Sequence, residues 1–155
     1  MLKRFILGTS VLSVLASPAA GQTADDLGGA VYVLSRSEEK LFLLVLPYTQ
    51  ATEVKRGTIV QVFAPPMPMP PDEPLHRLDT VTEFDCGLLR SRDVSYTPRT
   101  ETGSSLGTVN QDSPQWGTVE PGTVSYSGMQ IACSMAFVST ERGDAETIIA
   151  TWKNR

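Results

Sequence analysis

The segment of residues 75–86 constrains the fold most, because polar and apolar side chains alternate along it and it ends on Cys86, one of only two cysteines. Alternation with a period of two predicts a β-strand. The face predicted to pack on the core carries His76, Leu78, Thr80, Thr82, Phe84 and Cys86. The opposite face, predicted to be a solvated ladder of carboxylates with one arginine, carries Arg77, Asp79, Val81, Glu83 and Asp85.

The first 21 residues have the pattern of an export signal. Lys3 and Arg4 precede an apolar run over residues 5–16, and the small residues of segment 17–22 follow. The run is shorter than the roughly 20 residues of a stable transmembrane helix, so cleavage is expected rather than anchoring. The sequence therefore predicts a signal peptide at residues 1–21 and a single domain at residues 22–155, either periplasmic or secreted.

The charge balance disfavours nucleic acid as a partner. The whole chain carries 13 Lys and Arg residues against 17 Asp and Glu residues, a net charge of −4. Loss of Lys3 and Arg4 with the signal peptide lowers the basic count to 11, so the mature net charge is about −6. Nucleic-acid binding depends on neutralising phosphates with basic groups, which this composition does not favour. No second long apolar run follows, so no stable membrane span is predicted.

Two cysteines in an exported chain predict one structural disulfide between Cys86 and Cys133, because the compartment is oxidising. Closing a loop of this size contributes at most about 4 kcal/mol in the chain-entropy model. The alternative is a redox-active or nucleophilic thiol. It is disfavoured because the sequence has no C-x-x-C motif and no histidine near either cysteine.

The remaining elements predict an α+β fold. β-Branched and apolar runs indicate strands at residues 30–35, 40–46, 58–64 and 88–96, with a short edge strand at 107–109. The nearly continuous apolar character of residues 40–46 predicts a strand covered on both faces. Apolar residues at helical spacing predict two helices in the C-terminal region. Pro121 is suited to the first turn of the first helix. The first apolar stripe comprises Met129, Ala132, Cys133, Ala136 and Phe137, and the second helix spans residues 144–153 with Asp144 as its cap. Together these predict an antiparallel sheet of five or six strands with a C-terminal helix packed on one face and one disulfide.

A proline-rich segment at residues 65–74 interrupts this pattern. Six prolines in ten residues remove backbone donors and fix φ, which predicts an extended, polyproline-like segment outside the sheet. It is either a stiff connector or a binding element presenting Met67 and Met69 to a partner.

The sequence predicts no catalytic, cofactor or metal site. His76 is the only histidine, which leaves too few ligands for a zinc or copper centre. Ser37 and Lys40 match a bare S-x-x-K pattern but lie in a turn between two strands, where a solvated turn is the favoured interpretation. Glu83 and Asp85 form an acid/base pair only if one carboxyl is desolvated, and nothing in the sequence supplies that environment.

A family resemblance rests on several short stretches in a fixed order. These are Tyr32, the strand segment 57–63, the Phe-Asp-Cys of residues 84–86, Arg90 and Arg92, the segment 116–123 (WGTVEPGT), and Cys133. In this order and spacing the chain resembles the surface-adhesin protein E-like family of small exported proteins of Gram-negative bacteria. The resemblance implies an antiparallel sheet with a helix, a bridge between Cys86 and Cys133, homodimers as an option, and binding of host matrix or serum proteins. The lipobox cysteine of the type member is absent here, and the proline run is an addition.

The function predicted from these observations is a small, exported, non-enzymatic protein that binds another protein. Candidate contact residues are Arg77, Arg90, Arg92, Trp116, Met67 and Met69. The alternatives are a structural or stress-related protein of the periplasmic envelope and, less favoured, a periplasmic hydrolase that would have to use His76.

Overall fold

One antiparallel sheet organises the part of the chain that the structure, a computed structural model, describes, namely residues 29–48, 53–69, 73–135 and 144–155. Its strands are β1 (Gly29–Arg36), β2 (Lys40–Pro47), β3 (Val54–Met67), β4 (Leu75–Asp85), β5 (Arg90–Arg99), β6 (Val109–Asn110) and β7 (Gly117–Thr118). Strands β1 to β6 follow one another across the sheet in chain order, and β7 also pairs with β5. The predicted α+β class is confirmed, and the two-residue strands β6 and β7 raise the strand number to seven. The predicted signal peptide lies outside the described residues.

A helix packs on each face of the sheet. Helix α1 (Val124–Ala132) shares a cluster with Leu44, Leu46, Ile59 and Phe84. Helix α2 (Ala145–Lys153) shares the opposite cluster with residues of β1, β2 and β3. Strand β2 therefore buries apolar side chains on both faces, as its apolar run predicts.

Local capping fixes both helices. The Thr123 side chain accepts a hydrogen bond from the Tyr126 N–H at 3.1 Å, and the Asp144 carboxylate accepts one from the Thr147 N–H at 3.0 Å. Helix α2 matches its predicted span. Helix α1 begins at Val124 rather than in a turn opened by Pro121, because Gly122 has a φ of 83° and the chain turns there.

The disulfide joins Cys86, at the end of β4, to Cys133, which caps α1. The two Cα atoms are 5.6 Å apart, and 47 positions separate the residues in the sequence. Within α1, Gly128 faces the Phe84 ring, whose Cζ would lie 3.4 Å from an added Cβ. The predicted pairing is confirmed, while Ala136 and Phe137 lie outside the described residues.

The prediction that the proline run leaves the sheet at residue 65 is wrong for its first part. Pro65, Pro66 and Met67 belong to β3, and Met67 pairs with Leu75 after a register shift that begins at Val62. Residues 63–66 have no ladder partner on β4, so the missing N–H groups of Pro65 and Pro66 cost no hydrogen bond with that strand. Residues 70–72 lie outside the described part.

Two strand boundaries also differ from the prediction. The strand predicted at residues 88–96 is β5 at Arg90–Arg99, because residues 86–89 form a turn. The edge strand predicted at 107–109 is β6 at Val109–Asn110.

Candidate functional site

A tryptophan ring stacked against two arginines marks the candidate site. The guanidinium carbons of Arg90 and Arg92 lie 4.9 Å and 4.4 Å from the centroid of the Trp116 ring. The two arginines alternate on β5, so they share a face as predicted. Trp116 immediately precedes β7, whose pairing of Gly117 with Ser91 brings the ring alongside β5. Such contacts are cation–π interactions, favourable by about 0.5–1 kcal/mol each at exposed sites.

Two carboxylates of β4 hold the arginines in place. Asp85 is paired in register with Arg90, and Glu83 with Arg92. Asp85 Oδ2 accepts from Arg90 Nε at 2.9 Å, and Glu83 Oε2 accepts from Arg92 Nε at 2.8 Å. The Nη2 groups contact the same two oxygens at 2.9 Å and 2.7 Å. We call the set Glu83, Asp85, Arg90, Arg92 and Trp116 the arginine–tryptophan face.

The turn before β5 lowers the pKa of Asp85. The Leu88 N–H donates to Asp85 Oδ1 at 3.1 Å and is the largest cause, and Arg90 and the Gly87 N–H act in the same direction. Asp85 therefore stays ionised and acts as a fixed acceptor. That role differs from the general acid of an acid/base pair, which requires a raised pKa.

The arginine–tryptophan face retains N–H donors that no described residue accepts. A guanidinium carries five N–H donors, and within the described residues Arg90 and Arg92 donate only through their Nε and Nη2 edges. Their side chains are 37% and 31% exposed. The Nη1 groups thus remain as directed donors for acceptor groups such as carbonyls or carboxylates.

Two exposed leucines lie in the turn directly before the arginine–tryptophan face. Leu88 is 64% exposed and Leu89 is 44% exposed, and both precede Arg90 directly. Sequence reasoning placed them inside a strand and missed them as surface residues. The signal was Asp85 two residues before Gly87, since a turn aspartate accepts from the N–H groups that follow it.

Arg77 was predicted to lie on the exposed polar face, and that prediction is wrong. Its Nε donates to Asp79 Oδ1 at 2.5 Å and its Nη1 donates to Glu146 Oε1 of α2 at 2.6 Å. Arg99 Nε also donates to Asp79, and Arg99 Nη1 donates to the Gly103 carbonyl at 2.9 Å. Arg77, Asp79 and Arg99 are 3–5% exposed. We call these three residues and Glu146 the buried ion cluster.

The electrostatics of this cluster explain why burial is tolerated. Burial alone would lower the pKa of Arg77, but the charges and hydrogen bonds of Asp79 and Glu146 outweigh it, so the pKa is raised. Each buried cation therefore has a carboxylate partner, which is the condition for an ion to lie in a protein interior. The half of the carboxylate ladder that contains Asp79 is structural rather than solvated.

The other predicted contact residues lie far from the arginine–tryptophan face. Met67 is 43% exposed and pairs with Leu75, the first residue of β4, whereas Asp85 is the last. Ten residues of strand separate these rows, or about 33 Å. Met69 is half-buried just beyond Met67. Met67 and Met69 therefore belong to a separate surface.

Among the described residues, no group of three or more His, Cys, Asp or Glu side chains could hold a metal ion. His76 is half-buried on β4. Ser37 Oγ accepts from the Lys40 N–H at 3.0 Å in an exposed turn, as the solvated-turn interpretation predicts. No helix in the described ranges is long and apolar enough to cross a membrane.

Comparison with protein-family models, with curated proteins and with solved structures finds no match to this chain. The resemblance to the surface-adhesin protein E-like family therefore stays a prediction.

Proposed function

We propose that this chain is a small, exported, non-enzymatic binding protein that docks a partner protein through the arginine–tryptophan face. The observation that supports the proposal most is the Trp116 ring held against two partly exposed guanidinium groups of the sheet. Tryptophan and arginine are the residues most enriched among those that dominate binding energy in protein interfaces.

The arrangement is preorganised for binding. Asp85 and Glu83 fix both arginines through two contacts each, and the ring restricts them further. Side chains already held in their bound geometry lose less conformational entropy on association, which otherwise costs about 0.5–1.5 kcal/mol for each long side chain.

The chemistry of the face indicates what the partner presents. The Nη1 groups of Arg90 and Arg92 offer donors to acceptor groups, and the exposed Leu88 and Leu89 of the adjacent turn offer apolar contact. A protein segment with carbonyl or carboxylate oxygens beside an aliphatic side chain supplies both. The mature net charge of about −6 disfavours a strongly acidic partner surface, so we expect a mixed polar and apolar segment.

Two further observations support export and a binding role. The disulfide between Cys86 and Cys133 is typical of oxidising compartments, and the first 21 residues have the signal-peptide pattern. The resemblance to surface adhesins implies host matrix, serum or envelope proteins as the partner.

The proposal is tested by capturing partners from envelope extracts and matrix preparations with the purified, oxidised protein. We expect a defined partner that is retained by the unmodified chain and lost by an Arg90→Ala/Arg92→Ala variant. A Lys40→Ala/Lys153→Ala variant is the matched control, because it also removes two exposed positive charges but lies off the face.

Equal capture by both double variants would contradict the proposed face. Absence of any specific partner in all preparations would instead favour the alternative of a structural or stress-related envelope protein, for which a deletion strain should show reduced envelope integrity.

A further inference from the structure

The two outer edges of the sheet differ in what pairs with them. Strand β1 lies at one end of the strand order, and β5 lies at the other with the short strands β6 and β7 beside it. Strand β6 pairs with residues 95–96 of β5, and β7 pairs with residues 90–91. The Val94 and Pro98 carbonyls also accept hydrogen bonds from loop N–H groups, at 2.8 Å and 2.9 Å. The β5 edge is therefore covered along most of its length.

The outer edge of β1 has no such cover within the described residues. Residues 29–35 form backbone hydrogen bonds with no described segment other than β2. In an antiparallel pair, the N–H and C=O groups of alternate residues point towards the partner strand, and those of the residues between point away from it. The pairing with β2 is regular over residues 29–33, up to a bulge between Val33 and Ser35. This regular part therefore directs about half of its backbone donors and acceptors outwards.

Strand β1 lacks most of the features that protect an edge. Native proteins blunt their sheet edges with short strands, prolines or charged side chains, because unpaired backbone groups pair readily with another strand. Strand β1 is eight residues long, and residues 29–35 include neither a proline nor a charged residue. Val31, Tyr32 and Val33 are instead of the β-branched and aromatic types that favour a paired strand. Only the bulge opposes pairing, and it leaves residues 29–33 regular.

The side chains beside this edge are apolar on both faces of the sheet. Tyr32 and Leu34 are half-buried and pack against the cluster under α1, and Val33 packs against the cluster under α2. A strand added next to β1 would cover the remaining exposed part of these side chains and would also satisfy the outward backbone groups. Both the backbone and the side chains of β1 are thus suited to a neighbouring strand.

We propose that the outer edge of β1 binds an extended segment of a partner protein as an added strand, with residues 29–33 forming the ladder. In this mode of recognition the main-chain hydrogen bonds supply the affinity, and the alternate side chains supply the specificity. The segment carries apolar side chains and no net negative charge, because the mature chain has a net charge of about −6. The same charge disfavours a second copy of this chain as the occupant, since two such copies repel each other.

This edge is separate from the arginine–tryptophan face. Strands β2, β3 and β4 lie between β1 and β5. The four spacings between neighbouring strands amount to about 19 Å. Binding at β1 therefore does not depend on the proposed function, and a Trp116→Ala variant should bind an added strand at β1 as the unmodified chain does.

Two peptides test the proposal on the purified, oxidised protein. The probe is acetyl-Lys-Thr-Val-Thr-Val-Thr-Lys-amide with N-methyl groups on both valines, which leaves one backbone edge able to pair and prevents the peptide from stacking into larger sheets. The control peptide carries N-methyl groups on the threonines as well, so it keeps the side chains and the charge but lacks interior N–H groups on both edges. Because main-chain hydrogen bonds supply the affinity, the probe does not have to copy a native partner.

Backbone amide NMR shifts and hydrogen exchange show where the probe binds. At about 1 mM probe, which populates even a weak complex, we expect saturable shifts centred on residues 29–33. The outward N–H groups there should exchange about tenfold more slowly, and the control peptide should change neither measurement. Ala30→Lys should weaken probe binding by about fivefold or more, because it adds a positive charge to the edge. Val109→Lys is the matched control, since it adds the same charge at an exposed position of β6 and should leave binding unchanged.

Three outcomes with the unmodified chain would overturn the proposal, and none of them requires a variant to fold. These are the absence of saturable shifts with the probe, equal binding of the control peptide, and shifts that lie outside β1. Sedimentation tests the other occupant of the edge. A dimer of the unmodified chain that Ala30→Lys dissociates and Val109→Lys does not would assign the edge to a second copy and would overturn the partner segment.

Discussion

Two arginine clusters lie on the same face of β4 and β5, at opposite ends of the strands, and they differ in what covers them. The buried ion cluster lies under α2, where Glu146 completes the pairing of Arg77. The arginine–tryptophan face uses the same cross-strand chemistry but remains about one-third exposed. Identical residue types therefore act as a structural network where a helix covers them and as a candidate binding surface where none does.

A β-bulge in β5 places the two clusters on the same face of the sheet. Val81 pairs with Ser95 but Thr82 pairs with Asp93, so Val94 is an extra residue on β5. The extra residue reverses the facing of every side chain beyond it. Arg99 consequently shares a face with Arg90 and Arg92, although the sequence spacing of β5 assigns it to the other face.

The largest expected effect is the loss of unfolding free energy when a carboxylate is removed from the buried ion cluster, compared with the same change in the arginine–tryptophan face. Asp79→Ala leaves Arg77 and Arg99 buried without their shared carboxylate, and we expect a loss of about 3–5 kcal/mol in the free energy of unfolding. Denaturant unfolding monitored by fluorescence measures this loss. Glu83→Ala, which removes a carboxylate from the other cluster, should cost no more than about 1 kcal/mol because its ion pair is partly solvated. Equal losses of unfolding free energy in the two variants would contradict the assignment of one cluster as structural and the other as a surface feature.

The next effect concerns how the exposed end is held. The Cys86–Cys133 disulfide ties the end of β4 to α1 beside the arginine–tryptophan face, whereas α2 holds the other end by burial. A Cys86→Ser/Cys133→Ser variant should lose about 2–4 kcal/mol of unfolding free energy. Hydrogen exchange should show the largest gain in opening around residues 84–92. Faster exchange confined instead to Arg77 and α2 would contradict this division.

A smaller effect tests the cover of the buried cluster. Asp144 caps α2, and its pKa is lowered, first by the Thr147 backbone N–H and then by the Thr147 hydroxyl. Asp144→Ala should cost about 1 kcal/mol near neutral pH. Because the folded-state pKa lies below the unfolded value, this stability is present above about pH 4 and is lost as the pH falls through the lowered pKa.

The pH dependence supplies the measurement for this variant. Unfolding titrations between neutral and acidic pH should show a shallower loss of stability for Asp144→Ala than for the unmodified chain. A variant whose stability declines as steeply as that of the unmodified chain would show that the cap is not linked to the acid response.

The sequence predicts the strands and helices well, but it does not predict which strand residues a packed helix covers. Strand β4 shows why. Alternation over residues 75–86 assigned Phe84 and Cys86 to a core-packing face, and the structure places both against α1, since that assignment requires only a period of two. Alternation alone could not show that α2 covers Arg77 and Asp79. It also could not show that Glu83 and Asp85 stay uncovered, because both outcomes depend on where α2, a helix distant in sequence, packs on the sheet. The bulge at Val94 also had no signal in the sequence pattern.

The residues of the candidate site could be predicted from the sequence, but their contact in space could not. Arg90, Arg92 and Trp116 stand out as residues, but their stacking depends on the two-residue pairing of β7 with β5, which is too short to predict from pattern. Leu88 and Leu89 were missed because an apolar pair before a strand is read as part of it.

The affinity of a Trp116→Ala variant for the partner protein tests most directly whether the arginine–tryptophan face binds it. We expect the dissociation constant to rise by about 30-fold or more, which corresponds to about 2 kcal/mol. Met67→Ala, at an exposed position of β3 beside the first residue of β4, serves as the control and should leave the affinity unchanged. A cooperatively folded Trp116→Ala variant that binds the partner as tightly as the unmodified chain would contradict the account.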